Sequence, residues 1–520
     1  MGSKVKLGNL LSLLTDYHAN GAYKKLKENV ELFDEPDYAV MIRTTNFEQN
    51  NFDSNLKYIS EHAYNFLEKS KVKAGDIIMN KIANAGSSYL MPDLNCPVSL
   101  AMNLFLLRID EDKANSTFVY LYLKLNEDYV KSFANGSVTK TITKEAVRNL
   151  EIELPERSMQ DYIVKVYMDY VSKLTLNQKT NQTLEQMAQA LFKSWFVDFD
   201  PVFDNLLASV DFNLDNLETS LPDELILKAQ RRLATLNSLE NAAQYKASLS
   251  ALAHELQAQL PTKEAPQATV SAAETPVKAN LNGNPKILVQ HAKTHAHFPN
   301  EFEHNEQLGW IPKGWEASKL KEFGKIITGK TPPKKIDDAF DLEGKGVPFI
   351  TPSDVEGDVF TVNAIRHLTE SGVGSVKNNI VDAESVCVTC IGSQMGKTTI
   401  APDKSVTNQQ LNSIVLGEKY LRDYIFLNLR MRREELFNLG SSGSTMPILN
   451  KTSFENLSVL KPNESSLKAF DDITESYLAK ILLNSQNNTK LTTMRDTLLP
   501  KLISGELQIP DVATDEEIVD

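Results

Sequence analysis

The chain has 520 residues, enough for two to four domains, with 42% hydrophobic and 24% charged side chains and a formal net charge of −13. Three cysteines cannot build a disulfide framework, which points to a reducing, cytoplasmic setting, and no apolar run reaches the ~20 residues of a membrane helix. Taken whole, that acidity argues against a nucleic-acid partner, since phosphate binding needs clustered Lys and Arg.

In chain order, residues 1–157 read as short strands between Gly/Asn/Ser/Pro turns, with Leu104–Ile109 a buried-strand candidate. A long helix is expected over 158–200. Core-type positions fall there at three- and four-residue steps: Ile163, Tyr167, Tyr170, Leu174, Asn177, Asn181, Leu184, Ala188, Leu191 and Trp195. Residues 201–307 divide into a helical insertion starting at Pro222 and a Pro/Ala/Thr-rich flexible linker over 261–286. A second globular region, 308–463, opens at Leu308-Gly-Trp-Ile-Pro-Lys-Gly-Trp315 and holds the buried-strand candidate Val386–Ile391. A second long helix over 464–505 has seam positions Phe470, Thr474, Tyr477, Ile481, Asn484, Asn488, Leu491, Arg495 and Leu498, and Pro500 is expected to end it. An acidic tail, 506–520, with six acids and no base, is expected to be disordered.

The chain repeats itself once. Gly136–Trp195 aligns without a gap on Gly443–Leu502 at an offset of 307, with 15 of 60 positions identical, among them Lys144/Lys451, Pro155/Pro462 and Tyr170/Tyr477. Upstream, Val72–Ile82 pairs with Val381–Ile391, and Met41–Asn46 with Phe349–Asp354. The expected architecture is therefore α+β: two repeated globular domains joined by two long antiparallel, coiled-coil-like helices. Asn177/Asn484 and Asn181/Asn488 recur at seam sites, where a polar residue lowers stability but fixes register and partner. The predicted helix-pair core is Tyr170, Leu174, Asn177, Asn181, Leu184 and Leu191 against Tyr477, Ile481, Asn484, Asn488, Leu491 and Leu498. About 38 helical residues span ~57 Å, so the pair would hold the two domains a fixed distance apart.

The repeat also changes the meaning of the charge. Residues 201–307 hold 13 acids and 8 bases, and 506–520 hold six acids and none, which leaves 49 acids and 47 bases for the repeated parts. Those parts are close to neutral, so the overall acidity does not by itself exclude a nucleic-acid partner, although any such binding by the chain alone is expected to be modest.

No constellation of catalytic residues emerges. Gly392-Ser-Gln-Met-Gly396-Lys397-Thr398 has three residues between its glycines where a Walker loop needs four. Cys387-Val-Thr-Cys390 has zinc-like spacing but only Cys96 besides, and reads as a buried strand. His291, His295, His297 and His304 read as a solvated cluster in the linker. Neither G-x-S-x-G nor H-E-x-x-H occurs, and no Asn-Pro-Pro-aromatic motif is present. The expectation is a non-catalytic binding or organising protein, with no cofactor and no metal.

Asn181-Gln-Thr-Leu-Glu-Gln-Met-Ala-Gln-Ala-Leu-Phe-Lys-Ser-Trp-Phe-Val-Asp-Phe-Asp-Pro201 closely resembles the central helical region of the DNA-specificity subunit of type I restriction–modification enzymes. Leu308–Trp315, Phe349–Asp354, Gly443–Lys451 and Thr497–Leu507 resemble its other landmarks. The resemblance covers nearly all of the chain except about 202–300 and implies a specific organisation. Residues 1–157 and 308–463 would each be a target-recognition domain reading one half of a bipartite double-stranded DNA target. The helices would set the unread spacer and dock two methyltransferase subunits, with two restriction–translocation subunits completing the enzyme. Base reading needs Arg, Lys, Asn, Gln, Ser and Thr on loops that reach a groove. The candidates in the first domain are Arg43, Thr44, Thr45, Asn46, Lys81, Asn84, Ser137, Lys140 and Thr141. In the second they are Lys330, Thr331, Lys334, Lys335, Thr351, Ser353, Ser393, Gln394, Lys397, Gln409, Gln410 and Asn412. The alternative is a scaffold that joins protein partners through its helix pair with no DNA contact; a nuclease or ATPase with an unrecognised site is a weaker third reading.

Overall fold

The computed structural model describes residues 2–136, 139–217, 221–258, 294–441 and 447–507. The linker expected over 261–286, His291, Ser137, residues 442–446 of the repeat and the tail from 508 onward lie outside the described residues. The chain divides into two compact units: residues up to 174 together with those from 490, and residues 175–489.

The first unit holds β1 (Ser3–Lys6), β2 (Leu11–Asp16), β3 (Ala39–Ile42), β4 (Tyr58–Ile59), β5 (Lys71–Val72), β6 (Ile77–Asn80), β7 (Ser88–Leu90), β8 (Val98–Leu100), β9 (Leu104–Ile109) and β10 (Glu151–Leu154). They form an antiparallel sheet β2-β9-β6-β7, a sheet β4-β3-β8-β5 whose central pair is parallel, and the pair β1-β10. Leu104–Leu107 is a continuous apolar run because the strand is covered on both faces. Phe105 and Leu107 join the core with Ile77, Met79, Phe118 and Ile163, while Leu104 and Leu106 pack with Ile42, Ile78 and Leu100 between the sheets.

The second unit holds a hairpin of β11 (Phe302–Asn305) and β12 (Gly309–Pro312), then β13 (Glu316–Lys319), β14 (Gly324–Thr328), β15 (Phe340–Asp341), β16 (Val347–Ile350), β17 (Arg366–Leu368), β18 (Ile380–Val381), β19 (Val386–Thr389), β20 (Thr398–Ile400), β21 (Ser405–Thr407), β22 (Leu411–Leu416) and β23 (Ser458–Lys461). Its sheets β14-β22-β19-β20 and β15-β17-β16-β21-β18 and its pair β13-β23 follow the first unit's topology, including the parallel β16-β21 pair, with β15 added as an extra edge strand beside β17. Register is reproduced too: Ile77 faces Leu107 as Val386 faces Ile414. Cys387 belongs to this pattern. It alternates with Val386 and Val388 and points into the core between the sheets, and burial pushes its thiol up to about 11 and that of Cys390 to about 12.

The long helices run Arg157–Phe196 and Glu464–Ile503, forty residues each and offset by the same 307 as the sequence repeat. The first ends four residues before the expected boundary because Phe199 takes a left-handed conformation (φ 59°) and starts a new helix, Asp200–Ser209. Pro500 does not end the second, contrary to expectation. In the last turn a proline removes only one backbone bond and its φ already suits a helix; Ser504 N still donates to Pro500 O at 2.9 Å, and the chain turns off at Gly505 (φ 72°).

Within the second unit the helices are antiparallel and the four asparagines meet. Asn177 Nδ2 donates to Asn488 Oδ1, and Asn484 Nδ2 to Asn181 Oδ1, each at 2.8 Å. Within the first unit Ile163 shares a core with Leu499, Leu502 and Ile503. Phe192, Trp195 and Phe196 enter an aromatic core with Phe298, Trp315, Tyr424 and Phe470, at centroid distances of 4.9 Å for Trp195–Phe298 and Phe196–Tyr424. The aromatic end of the Asn181–Pro201 motif is therefore the base on which the second unit is built.

The insertion packs on that base through Asp200–Ser209, Asp223–Asn237 and Ala242–Ala258. Its centre is Asp204, fully buried, which accepts two bonds from Arg232 (2.7 and 2.8 Å) and lies 3.0 Å from His295 Nε2 and 3.3 Å from the Tyr245 hydroxyl. His295 is thus a buried partner of a carboxylate and not the solvated linker residue expected; the contact depends on a fold that brings distant segments together. Burial raises the Asp204 carboxyl, but the bonds from Arg232 and His295 outweigh it and hold it below the usual range. That contribution to stability is present above the ordinary value of 3.8 and is lost as pH falls through the depressed one. Asp204→Ala is expected to destabilise this unit by about 3–5 kcal/mol by stranding Arg232, and Asn488→Ala by about 1–3 kcal/mol by orphaning Asn177. Denaturation followed by tryptophan fluorescence checks both, because Trp195, Trp310 and Trp315 all lie in this unit.

Candidate nucleic-acid interface

In the second unit five loops are stitched together at one end of the sheets. Gly329 N donates to Leu411 O and Lys330 N to Thr407 O at 3.0 and 2.8 Å. Asn408 N donates to Ile350 O, Cys390 N to Gln410 O, Gly392 N to Pro447 O and Leu449 N to Cys390 O, all within 3.0 Å. The approach is so close that a Cβ on Gly329 would lie 2.0 Å from Asn408 O, so only glycine fits. Thr331 Oγ1 crosses between loops to Gln409 Oε1 at 2.6 Å.

This arrangement brings together Lys330, Thr331, Lys334, Lys335, Ser353, Ser393, Gln394 and Gln409 as exposed side chains, with Lys397 and Gln410 half-buried. Lys330, Lys334, Lys335 and Lys397 make no ion pair among the described residues. Thr351 and Asn412 are buried and engaged internally: Thr351 Oγ1 donates to Asp354 Oδ2 (2.6 Å), and Asn412 Oδ1 accepts from Thr328 Oγ1 (2.7 Å). The Gly392–Lys397 turn directs its amides inward, Met395 N to Gly392 O and Gly396 N to Thr389 O, and so offers no Walker-type cradle.

The first unit repeats the arrangement with different chemistry. Ala83 N donates to Lys140 O (3.2 Å) and Ile142 N to Lys81 O (3.1 Å), and the bridge Ile82–Thr141 matches Ile391–Ile448. Thr45, Asn84 and Lys140 are exposed, and Arg43, Thr44 and Thr141 half-buried. Asn46 is buried: its Oδ1 accepts from Arg43 N at 3.0 Å and its Nδ2 donates to Asn51 O at 3.2 Å. Lys81 is tied to Asp16 Oδ2 at 3.0 Å, and Lys144 takes Asp16 Oδ1 at 2.9 Å. Both ammonium groups lie over the Phe105 ring, at 5.5 and 5.9 Å. Asp16 and Lys144 were not among the sequence candidates; the identity of Lys144 with Lys451 was the available signal.

The floors beneath the two loop clusters therefore differ. Strand register places Asp16 opposite Phe105 where the second unit has Thr328 opposite Asn412. One floor is a charged clasp on an aromatic ring, the other a neutral hydroxyl–amide pair. Exposed lysines and amide or hydroxyl side chains on stitched loops recur at the corresponding place in both units, and these are the side-chain types that a nucleic-acid interface uses.

The type I restriction modification DNA specificity domain family matches residues 4–186 and 312–493, and the chain belongs to that family. Its role there is DNA specificity, without a catalytic centre of its own. The chain is 29% identical over 452 residues to the type I restriction enzyme HindI specificity subunit of Haemophilus influenzae, covering 84% of this chain and 88% of that one. It is 21% identical to the MjaIX specificity subunit of Methanocaldococcus jannaschii, over 78% and 72% of the two chains. A crystal structure of the type I system S subunit from M. genitalium shares the fold over 96% of both chains, with a TM-score of 0.50 at 12% identity. No described helix is long and apolar enough to cross a membrane.

Burial raises the Asp16 carboxyl, but Lys144 and Lys81 outweigh it and hold it below its ordinary 3.8. The clasp therefore contributes above that value and is lost as pH falls through the depressed one. Asp16→Asn is expected to cost about 1–3 kcal/mol locally and to speed amide hydrogen exchange in 81–84 and 140–149, with the second unit unchanged.

Proposed function

We propose that each stitched loop cluster reads one half of a bipartite duplex target and that the chain confers that target on methyltransferase and restriction subunits in the cytoplasm. The observation that carries this is the duplicated loop cluster on two unlike floors. Identical halves would favour a palindrome; Asp16/Phe105 against Thr328/Asn412 favours two different half-sites. The recognition domains are residues 1–157 and 308–463, and the helices over 158–200 and 464–505 set the spacer and dock two methyltransferase subunits, with two restriction–translocation subunits in the full complex. Residues 201–307 and 506–520 carry most of the net acidity and lie outside this reading of the DNA-facing parts.

In the second unit Ser353, Ser393, Gln394 and Gln409 are the strongest base-edge readers, because they are exposed on the loops. Lys330, Lys334, Lys335 and Lys397 supply phosphate contacts. In the first, Thr45, Asn84 and Lys140 take these roles, with Arg43, Thr44 and Thr141 at the margin. Asn46, Thr351 and Asn412 act by shaping the loops, and Lys81 by closing the clasp. The seam Tyr170, Leu174, Leu184 and Leu191 against Tyr477, Ile481, Leu491 and Leu498, with the four asparagines, sets the spacer. The scaffold reading, with no DNA contact, leaves the stitched lysine-bearing loops without a use.

Mapping genomic N6-methyladenine after co-expression with the methyltransferase partner is expected to show one split motif; an active partner with no split motif would sink the reading. Transplanting residues 308–463 into a related subunit should change one half of the motif only. Adding one heptad to both long helices should lengthen the spacer and leave the half-sites unaltered.

A further inference from the structure

The connection that leaves the loop end of β2 runs through 17–38 to β3, and its counterpart in the second unit runs through 329–346 from β14 to β16. The two have no sequence correspondence: the second is an extended Lys-Thr-Pro-Pro-Lys-Lys loop, while the first folds into a helix, Tyr23–Asn29. Their charge is nevertheless arranged alike. Each carries three exposed lysines in its first part, Lys24, Lys25 and Lys27 against Lys330, Lys334 and Lys335. Each carries its acids afterwards, Glu28 to Asp37 in one and Asp337 to Glu343 in the other.

The helix is held by a single buried side chain, Leu26, packed among Tyr17, Met41, Ala63 and Leu67. Asn20, just before it, donates to Ser70 Oγ at 2.9 Å; Ser70 precedes β5, whose antiparallel pairing of Lys71 with Ser99 sets Ser70 toward the C-terminal end of β8, and its hydroxyl meets that of Ser99. The helix thus starts at the loop end of its sheet. Lys24, Lys25 and Lys27 form no ion pair or side-chain hydrogen bond among the described residues, although Glu28 stands four residues after Lys24. Lys24 and Lys27 repel at i, i+3, and the two lysines of the first turn sit where the helix dipole disfavours cations. Tyr23 is 67% exposed beside them. No ion pair among the described residues compensates this arrangement; an external polyanion would.

We propose that the helix Tyr23–Asn29 is a duplex-phosphate anchor of the first unit, in which Lys24, Lys25 and Lys27 contact the DNA backbone beside the half-site as Lys330, Lys334 and Lys335 do in the second. This rests on the DNA-reading function proposed above. The test uses the full chain co-purified with its methyltransferase subunits and a long mixed-sequence duplex, with log affinity measured against log salt concentration. Each phosphate contact adds about 0.9 to the magnitude of that slope. The triple variant Lys24→Ala, Lys25→Ala, Lys27→Ala is expected to reduce it by about 2–3, as is Lys330→Ala, Lys334→Ala, Lys335→Ala, while the three-arginine version at 24, 25 and 27 retains it. A reduced slope in the second triple with an unchanged slope in the first overturns the anchor and leaves the general reading standing. A wild-type complex whose duplex binding depends on neither set overturns both. An unaltered melting temperature in the first triple confirms that the loss is of contacts, since all three side chains are exposed.

Discussion

The seam between the long helices turns on two amide–amide hydrogen bonds. Under the 307-residue repeat, Asn177 corresponds to Asn484 and Asn181 to Asn488, so the Asn177–Asn488 bond maps onto Asn484–Asn181. The two bonds are symmetry copies made by one chain, with the mutual pairing of an isologous interface. A leucine seam would tolerate a slide by one turn. An asparagine seam would not, because the buried amides of Asn177 and Asn484 would each lose their partner. Where the specificity of a protein includes a distance, a seam that permits one register is worth its cost in stability.

Each unit solves a second problem, presenting irregular loops firmly. The loop backbones of the second unit hydrogen-bond to one another as well as to the sheets, and Gly329 permits the closest approach. The consequence is a division of labour among polar residues. Asn46, Thr351 and Asn412 fold their side chains into the loop framework, while Ser393, Gln394 and Gln409 face outward. The frame can be duplicated while the outward residues differ, which is how one topology comes to carry two chemistries.

The repeat, the long helices and their asparagines were legible in the sequence because they depend on spacing alone. Loop residues were legible only as a class. Asn and Thr are used both to cap backbone and to read bases, and nothing in composition separates Asn46, which caps the turn after β3, from Asn84, which faces solvent. The Asp16 clasp required the pairing of β2 with β9 and the position of a lysine 128 residues away. His295 looked solvated because its partner, Asp204, belongs to a segment separated from it by the linker. Pro500 misled for a different reason: the rule against proline in helices weakens in the last turn, where few bonds remain to be broken.

A chain with 13 more acids than bases can still be built to hold DNA, because electrostatic attraction is local. At physiological salt the screening length is about 8 Å, so acids in residues 201–307 and in the tail act on the loops only where they come close. What matters at the loops is the balance of free and neutralised cations. Among the described residues Lys330, Lys334, Lys335 and Lys397 of the second unit make no ion pair; in the first, Lys140 makes none, while Lys81 and Lys144 share Asp16, leaving one net positive charge on a clasp whose lysines are half-buried. The first loop cluster therefore has fewer unpaired cations than the second, and a further source of them beside it, the helix Tyr23–Asn29, would bring the two clusters toward parity.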